Sequence, residues 1–329
     1  MESLIFAINA VMPIVLVVAL GYGLKKWGLM LAEFSAKANA LVFRVCLPAM
    51  LFLNVYEIES IGSVDFGYVF YTLAVVLAVF FINIPMVKKI CHNAKGCGAL
   101  LQATFRSNFA LVGIPLAESL YGSEGVAVAA LLSAVTIPLF NVLGVISLSI
   151  FTKNGKKPSV KRILHGIVTN PLIISIFAGC VALLVRELFK GVGIGFRLSD
   201  VTPLYKALGY LSATATPLSL LVLGAQFEFS AVASLKREII YGTLVRTVII
   251  PVLAIGGACL FFRDSFDGAQ FASFVAVFAT PVAVSTVPMA QEMGGDTVLA
   301  GQLVVFTTVA SAFSVGLVSF FLKFIGVLG

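Results

Sequence analysis

The chain has 329 residues, 60% of them hydrophobic and only 11% charged, and it carries a formal net charge of +7. A mean hydropathy of +1.08 excludes the soluble globular classes, because no soluble fold could bury that much apolar surface, and it predicts an all-α polytopic membrane protein. The positive charges lie in short clusters between apolar runs, so the basic excess indicates loops beside a membrane and no nucleic-acid partner.

Ten apolar segments are long enough to cross the hydrocarbon core as helices, five on each side of a basic linker at Thr152–Arg162. The first has no basic region before it and is long enough to span, so it is interpreted as a helix and not as a signal peptide. In chain order, the predicted spans are Ile5–Leu24, Ala38–Tyr56, Phe66–Ile90, Gly98–Leu120, Val126–Phe151, Ile163–Leu184, Tyr205–Phe227, Ile239–Phe262, Gln270–Met293 and Val298–Ile325.

The basic residues predict the orientation of these spans. The loops after spans 1, 3, 5 and 7 contain thirteen lysines and arginines, whereas the opposite loops and ends contain six. By the positive-inside rule the first set of loops is cytoplasmic, so both termini are expected to be extracytoplasmic. The predicted location is the inner (plasma) membrane.

Recurring prolines and glycines indicate that residues 1–152 and 153–329 form a structural repeat. Because each half has an odd number of helices, five, the second half enters the membrane from the opposite side. An inverted 5+5 repeat is therefore predicted, as in many secondary transporters. The strongest match pairs Asn108 with Pro281 at an offset of 173 residues. At the same or similar offsets follow Pro115/Pro288, Gly122/Gly295, Pro13/Pro171, Gly21/Gly179, Pro48/Pro217 and Thr72/Thr243.

The strongest site candidate is the stretch Arg106–Pro115 within the fourth span. It has Arg, Asn, Gly and Pro where a lipid-facing helix would have leucine, and such residues persist at membrane depth only when they face protein or a cavity. Its repeat partner, Thr280–Pro288, is a second interrupted span. Asn108 follows about ten helical residues, roughly 15 Å at 1.5 Å per residue, which is near the bilayer midplane.

Two broken helices that meet at this depth predict an anion site. The half-helices Phe109–Leu120 and Val282–Met293 would begin there, with unpaired N–H groups and the positive ends of their dipoles. Asn108 adds two donors and an acceptor without burying a charge. The predicted substrate-binding residues are Asn108, Ser107, Pro281, Thr280, Val282, Asn141, Gln226 and Arg106.

Several of these residues also have a structural interpretation. Asn108 could cap a kinked helix, and Arg106 either contacts a substrate carboxylate or satisfies carbonyl groups at the end of the first half-helix. Gln226 is either a pocket donor or a helix-end residue, and Asn141 either lines the site or provides polar helix packing. Arg246 is interpreted as structural, bonded to backbone or to an acid.

Five motifs carry a resemblance to a known family: Asn108-x4-Gly113-Ile114-Pro115-Leu116-x4-Tyr121-Gly122, Pro281-x6-Pro288-x3-Glu292, Leu47-Pro48, Leu223-Gly224-Ala225-Gln226 and Arg246-x4-Pro251. Over nearly the whole chain they resemble the auxin efflux carrier family, which includes plant PIN-type auxin exporters and bacterial carriers often labelled malate or malonate permeases. The long cytoplasmic loop of the plant exporters is absent here, and Thr152–Arg162 stands in its place.

The resemblance implies a fold similar to bile-acid symporters and sodium/proton antiporters. Spans 1, 2, 6 and 7 would form a scaffold that makes a homodimer, and spans 3–5 and 8–10 would move against it as an elevator. By residue match, Asn108 takes the substrate-carboxylate position, Pro281 the second crossover position and Asn141 a pocket-lining position. Ser107 replaces a proline of the plant carriers, and span 3 contains no membrane-embedded acid, so the coupling ion, proton or sodium, stays open.

Other functional classes fit less well. An enzyme would need a nucleophile with a base, and His92 and His165 fall in or near loops. Cys91, His92 and Cys97 lack a standard ligand spacing, so no metal or cofactor is predicted. A cation/proton antiporter would want acids at the two breaks. A sodium-coupled bile-acid-type anion symporter stays as the alternative, and a channel would be distinguished by the absence of counterflow.

Overall fold

The computed structural model describes residues 2–58, 66–151 and 160–328, and this part of the chain is almost entirely helical. Apart from one 3₁₀ turn at Leu198–Asp200, the elements are all helices. They are α1 (Glu2–Lys26), α2 (Ala32–Tyr56), α3 (Phe66–Ile90), α4 (Ala94–Phe105), α5 (Phe109–Ile150), α6 (Val160–Val168), α7 (Pro171–Gly191), α8 (Thr202–Gln226), α9 (Phe229–Ser234), α10 (Lys236–Phe261), α11 (Gly268–Phe278), α12 (Thr286–Glu292) and α13 (Thr297–Phe324).

Seven segments of the described chain are long and apolar enough to cross a bilayer, namely α2, α3, α5, α7, α8, α10 and α13. Large apolar side chains such as Phe70, Leu260 and Phe324 are 75%, 80% and 80% exposed, as expected for surfaces that face lipid. The predicted class, an all-helical polytopic membrane protein, is confirmed. Ten spans in an inverted repeat stay a prediction.

The predicted sixth span, Ile163–Leu184, was wrong at its start. The structure ends α6 at Val168 and begins a separate helix, α7, at Pro171. Proline has no N–H and fits the first turn of a helix, and the Asn170 side chain accepts a 2.9 Å hydrogen bond from Leu172 N. The predicted linker lies largely outside the described residues.

Prolines also explain three wide, π-type turns within the long helices. These turns are Val42–Cys46, Phe109–Gly113 and Val245–Ile249. Each comes shortly before a proline (Pro48, Pro115 or Pro251), and the carbonyl four residues before that proline lies inside the turn. Because proline cannot donate to this carbonyl, the regular ladder is interrupted there.

Helix α5 contains both the second half of the predicted fourth span and the predicted fifth span. Between them Tyr121 leaves helical geometry and Gly122 adopts a positive φ of 59°, which favours glycine. The first arm of α5 packs closely on α11, where a Cβ at Gly113 would lie 2.6 Å from Ala276 O. The chain can therefore reverse at Gly122 and bring two arms of α5 beside α11.

The helices pack in two groups. In the first, α1 contacts α8, and α2 contacts both α7 and α8; in the second, α5 contacts α4 and α11, and α13 contacts α4, α10 and α12; contacts of α1 with α13 and α5 join the two groups. Buried phenylalanines fill the second group beside the interruptions between α4 and α5 and between α11 and α12, namely Phe105, Phe109, Phe271, Phe274 and Phe278.

Candidate functional site

The first interruption separates α4 from α5. Helix α4 ends at Phe105, Arg106 is extended (φ −86°, ψ 104°), and Asn108 is also non-helical (φ −81°, ψ 53°) before α5 begins at Phe109. Val112 N and Gly113 N donate to Asn108 O at 3.0 and 3.3 Å. The amides of Phe109, Ala110 and Leu111 have no hydrogen-bond partner in the described part of the chain. The start of α5 therefore presents three free donors.

The second interruption runs from the end of α11 at Phe278 to the start of α12 at Thr286. The predicted start of this half-helix at Val282 was wrong. Residues 279–285 are non-helical; Val282 N donates to Thr307 Oγ1 at 3.1 Å and Ala283 N donates to Arg106 O at 3.2 Å, so neither amide is open to a ligand. Helix α12 has only seven residues.

The two interruptions contact each other directly. Asn108 N donates to Pro281 O at 2.8 Å, and with the bond from Ala283 N to Arg106 O this makes an isolated antiparallel β-bridge between Ser107 and Val282. Such pairing satisfies backbone groups that hydrocarbon would leave unpaired. The pairing also occupies the Ala283 amide, at the start of the predicted second half-helix, which the sequence had predicted to be open to a ligand.

Arg246 of α10 bonds to the chain at the beginning of both breaks. It is 1% exposed, and its guanidinium donates to Thr280 O at 2.9 Å, Val277 O at 2.6 Å and Phe105 O at 3.4 Å. Phe105 O and Val277 O lie at the C-terminal ends of α4 and α11, where helix dipoles are negative, and Thr280 O lies two residues beyond the end of α11. Arg246 therefore has the backbone partners that a structural role requires.

Arg106 has a different environment. It is 4% exposed and donates through its two terminal nitrogens to Asn141 Oδ1 (2.8 Å), Ser285 Oγ (3.0 Å), Gln102 Oε1 (3.4 Å) and Met289 Sδ (2.8 Å). All four partners are neutral side chains. Arg246, and not Arg106, therefore bonds to the carbonyl at the end of α4. Arg106 places its positive charge beside Asn108.

A small cavity of about 60 Å³, called the site cavity below, lies beside this charge. Asn108 Nδ2 and Ser107 Oγ are buried and have no hydrogen-bond partner among the described residues. Leu47, Met50 and Leu51 of α2 and Leu172 of α7 form an apolar wall. The polar residues that line it are Asn54, Arg106, Ser107, Asn108, Asn141 and Ser285.

A larger cavity of about 710 Å³, called the vestibule, adjoins it. Asn54, Ala110 and Ile137 line both spaces, so the two lie side by side at these residues. The vestibule lies between the end of α2 on one side and α3, α5 and α11 on the other. Glu57 and Asp267 also line it.

The other end of α2 is closed by polar contacts, called the polar latch. Asn39 Nδ2 donates to Gln291 Oε1 at 2.6 Å and to Gln226 Oε1 at 3.1 Å, and Arg44 forms a 2.8 Å ion pair with Glu292. Fifteen helical residues separate Asn39 from Asn54, about 22 Å at 1.5 Å per residue. The latch joins α2 and α8 to α12 far from the vestibule.

Of the eight predicted site residues, Arg106, Ser107, Asn108 and Asn141 line the site cavity. The other four lie elsewhere. Pro281 and Val282 belong to the β-bridge behind it, Thr280 contributes its carbonyl to Arg246, and Gln226 lies in the polar latch, where its Nε2 donates to Gln291 at 3.1 Å.

Sequence reasoning missed Asn54 and Ser285. Asn54 is a single amide in the apolar run of α2, and a polar residue within a span is itself a signal. Ser285 lies within the second interrupted stretch but had no distinguishing pattern. Its neighbour Arg106 is 179 positions away, so the contact depends on tertiary structure.

Comparison with known proteins shows the family of the chain. A family model described as membrane transport protein matches residues 6–319. An uncharacterized transporter of Methanothermobacter thermautotrophicus is 25% identical over 328 residues, which cover 94% of this chain and 96% of that protein. An uncharacterized transporter of Methanocaldococcus jannaschii is 23% identical over 256 residues, which cover 75% and 77% respectively. The chain therefore belongs to the membrane transport protein family, the auxin efflux carrier family that its motifs resemble, and is a transporter and not an enzyme.

Proposed function

We propose that the chain is a secondary active transporter of small organic anions, carboxylates such as malate, malonate or auxin-like acids. The observation that carries this proposal is the excess of donors at the site cavity. The buried Arg106 guanidinium, the unpartnered Asn108 Nδ2 and the free amides of Phe109 and Ala110 belong to residues that line a space with no acidic lining residue among those described. Charge-assisted hydrogen bonds to a carboxylate would satisfy these groups.

The sizes of the two spaces support a carboxylate bound by its head group. The site cavity is only about 60 Å³, enough for a compact anionic group, whereas the adjoining vestibule is about 710 Å³. The carboxylate would enter the small space and the rest of the molecule would extend past Asn54 and Ile137. The apolar lining there is compatible with a short aliphatic or an aromatic body.

The vestibule and the polar latch, which lie at opposite ends of α2, support alternating access. The vestibule is open beside Asn54 while the polar latch closes the far end of α2. Both features lie between α2 or α8 and the group made by α3–α5 and α10–α13. We therefore include in the proposal ten spans in two inverted repeats, residues 1–152 and 153–329, and an elevator motion of that group against α1, α2, α7 and α8 in a homodimer.

By the positive-inside rule, the latch lies on the cytoplasmic side and the vestibule faces outward. Lys25, Lys26 and Lys37 lie near the latch end of α1 and α2, whereas Glu57 and Asp267 line the vestibule. Both termini would then be extracytoplasmic. Addition of a membrane-impermeant thiol reagent to whole cells, after Glu57→Cys in a cysteine-free background, would label an outward vestibule.

The proposed function is tested by ligand-induced stabilisation of the purified protein. Binding to the folded state raises its apparent melting temperature by mass action. We expect malate, malonate or indole-3-acetate to raise it and the corresponding uncharged amides to leave it unchanged. Equal effects of acids and amides, or no effect of any acid, would contradict the anion site. Repeating the titration without sodium tests the sodium-coupled symporter, which requires a sodium-dependent shift.

A further inference from the structure

The charge of Arg106 has no acidic partner. The ion pairs in the described part of the chain are Lys37–Glu33, Arg44–Glu292, His92–Glu238 and Arg186–Glu187. None includes Arg106, whose four hydrogen-bond partners are neutral side chains. Arginine stays protonated in proteins, so the empty site cavity has an uncompensated positive charge.

Arg246, in contrast, is a buried arginine whose positive charge is compensated. Its guanidinium is equally buried but donates to three backbone carbonyls around the ends of α4 and α11, where the helix dipoles supply negative potential. Arg106 follows the end of α4 directly, but that end is already bonded to Arg246, and the nearby start of α5 has free amides that add positive potential. The two arginines therefore differ in net local charge although both are nearly inaccessible.

A bound carboxylate would reduce that charge. Arg246, with one positive unit, offsets the negative ends of α4 and α11, about half a unit each; the Arg106 guanidinium, one unit, and the start of α5, about half a unit, then give the empty site roughly +1.5 charges. A monocarboxylate leaves about +0.5 and a dicarboxylate about −0.5, so either leaves less charge to dehydrate when the site is closed off from water. The occluded state between the two sides should thus form more easily with an anion bound than without one.

From this difference, and resting on the anion transport proposed above, we propose that the protein is an anion exchanger. Its loaded site crosses the membrane readily in both directions, whereas its empty site returns slowly because an unpaired guanidinium must pass through a dehydrated state. Transport of one carboxylate is therefore coupled to the return of another, and no separate coupling ion is needed for the exchange.

The test uses the full-length protein in liposomes loaded with radiolabelled malonate or lactate, with the voltage held at zero by potassium and valinomycin. We expect efflux into unlabelled carboxylate to be at least tenfold faster than efflux into carboxylate-free buffer. Equal rates overturn exchange while leaving anion transport intact. Absence of protein-dependent movement of either anion in both conditions overturns the proposed function and exchange with it.

Variants of Arg106 separate its charge from a merely structural role. Arg106→Lys keeps the charge and should keep a high ratio of exchange to net efflux even though binding weakens. Arg106→Gln should bring that ratio close to one, whereas the exposed control Arg263→Gln should leave it unchanged. A general loss of folding would lower both rates without changing the ratio. A ratio for Arg106→Gln that equals the parent value overturns the role of this charge.

Discussion

The two interruptions of the helices have similar sequence origins but different structural roles. The first, at Arg106–Asn108, leaves three amides and the Asn108 side chain without partners beside a cavity. The second, between α11 and α12, has the amides of Val282 and Ala283 occupied by Thr307 and Arg106, and its residues Thr280 and Val282 are 0% and 1% exposed. The first break presents the Asn108 side chain, and the second holds it in position through backbone bonds at Pro281 O and Ala283 N. A break at membrane depth is therefore not in itself a binding site; its unsatisfied groups make it one.

The largest expected effect comes from removing the arginine that joins both breaks. Arg246→Gln cannot reproduce the contacts to Val277 O, Thr280 O and Phe105 O. The two short bonds, to Val277 O and Thr280 O, contribute about 1.5 kcal/mol each, so their loss alone gives a destabilisation of about 3 kcal/mol. The apparent melting temperature in detergent should fall sharply. Arg44→Gln, at a side chain that is 69% exposed, is the control and should change it little. Equal melting temperatures would show that Arg246 does not hold the breaks.

The next largest effect is expected for Asn108→Ala, which should lower carboxylate affinity without lowering the stability of the fold. Asn108→Ala removes a donor that has no partner among the described residues, so folding should be nearly unchanged. Losing a hydrogen bond to a charged ligand should cost about 1.5–3 kcal/mol, or roughly tenfold to a hundredfold in carboxylate affinity. Isothermal titration of the parent and the variant measures this.

Asn83→Ala is the matched control for that experiment. Asn83 is also buried and donates to Val79 O at 2.8 Å, but it lines neither cavity. We expect this variant to lose stability and to keep its affinity. If Asn108→Ala instead binds like the parent, the first break does not form the site.

A smaller effect is expected at the polar latch. Glu292→Gln removes the ion pair with Arg44 but leaves the site cavity intact. A partly exposed pair contributes up to about 1 kcal/mol, so the balance between the two access states should shift by up to about fivefold. Accessibility of a cysteine at position 35 to a thiol reagent from the latch side measures this shift, because Ser35 is buried next to Ala36, whose carbonyl accepts a hydrogen bond from Gln291, and is not itself part of the latch. Glu33→Gln, which breaks the exposed pair with Lys37, should have no such effect.

The smallest effect on affinity is expected for Pro281→Ala. Asn108 N bonds to the Pro281 carbonyl, which alanine retains, and the neighbouring amides of Val282 and Ala283 already have partners. Carboxylate affinity should change by less than about threefold. A loss as large as that of Asn108→Ala would mean that the second break has a direct role in binding.

The sequence alone determined the membrane class, the polar and proline-rich interruptions and four of the residues that line the site cavity. These features depend on composition and on single residues that hydrocarbon does not tolerate, so they can be identified without knowing any neighbour. The three wide turns do not follow from proline positions alone, because Pro85, Pro138 and Pro217 lie inside helices without such a turn.

Tertiary structure decided which amides stayed free and which charges were compensated. Val282 N finds Thr307, and Arg106 finds Ser285, across 25 and 179 positions of the chain, and no local pattern encodes such partners. For the same reason Gln226 joined the latch and Asn54 joined the site cavity. Whether a buried polar group binds a ligand or supports the fold depends on whether the folded chain already satisfies it.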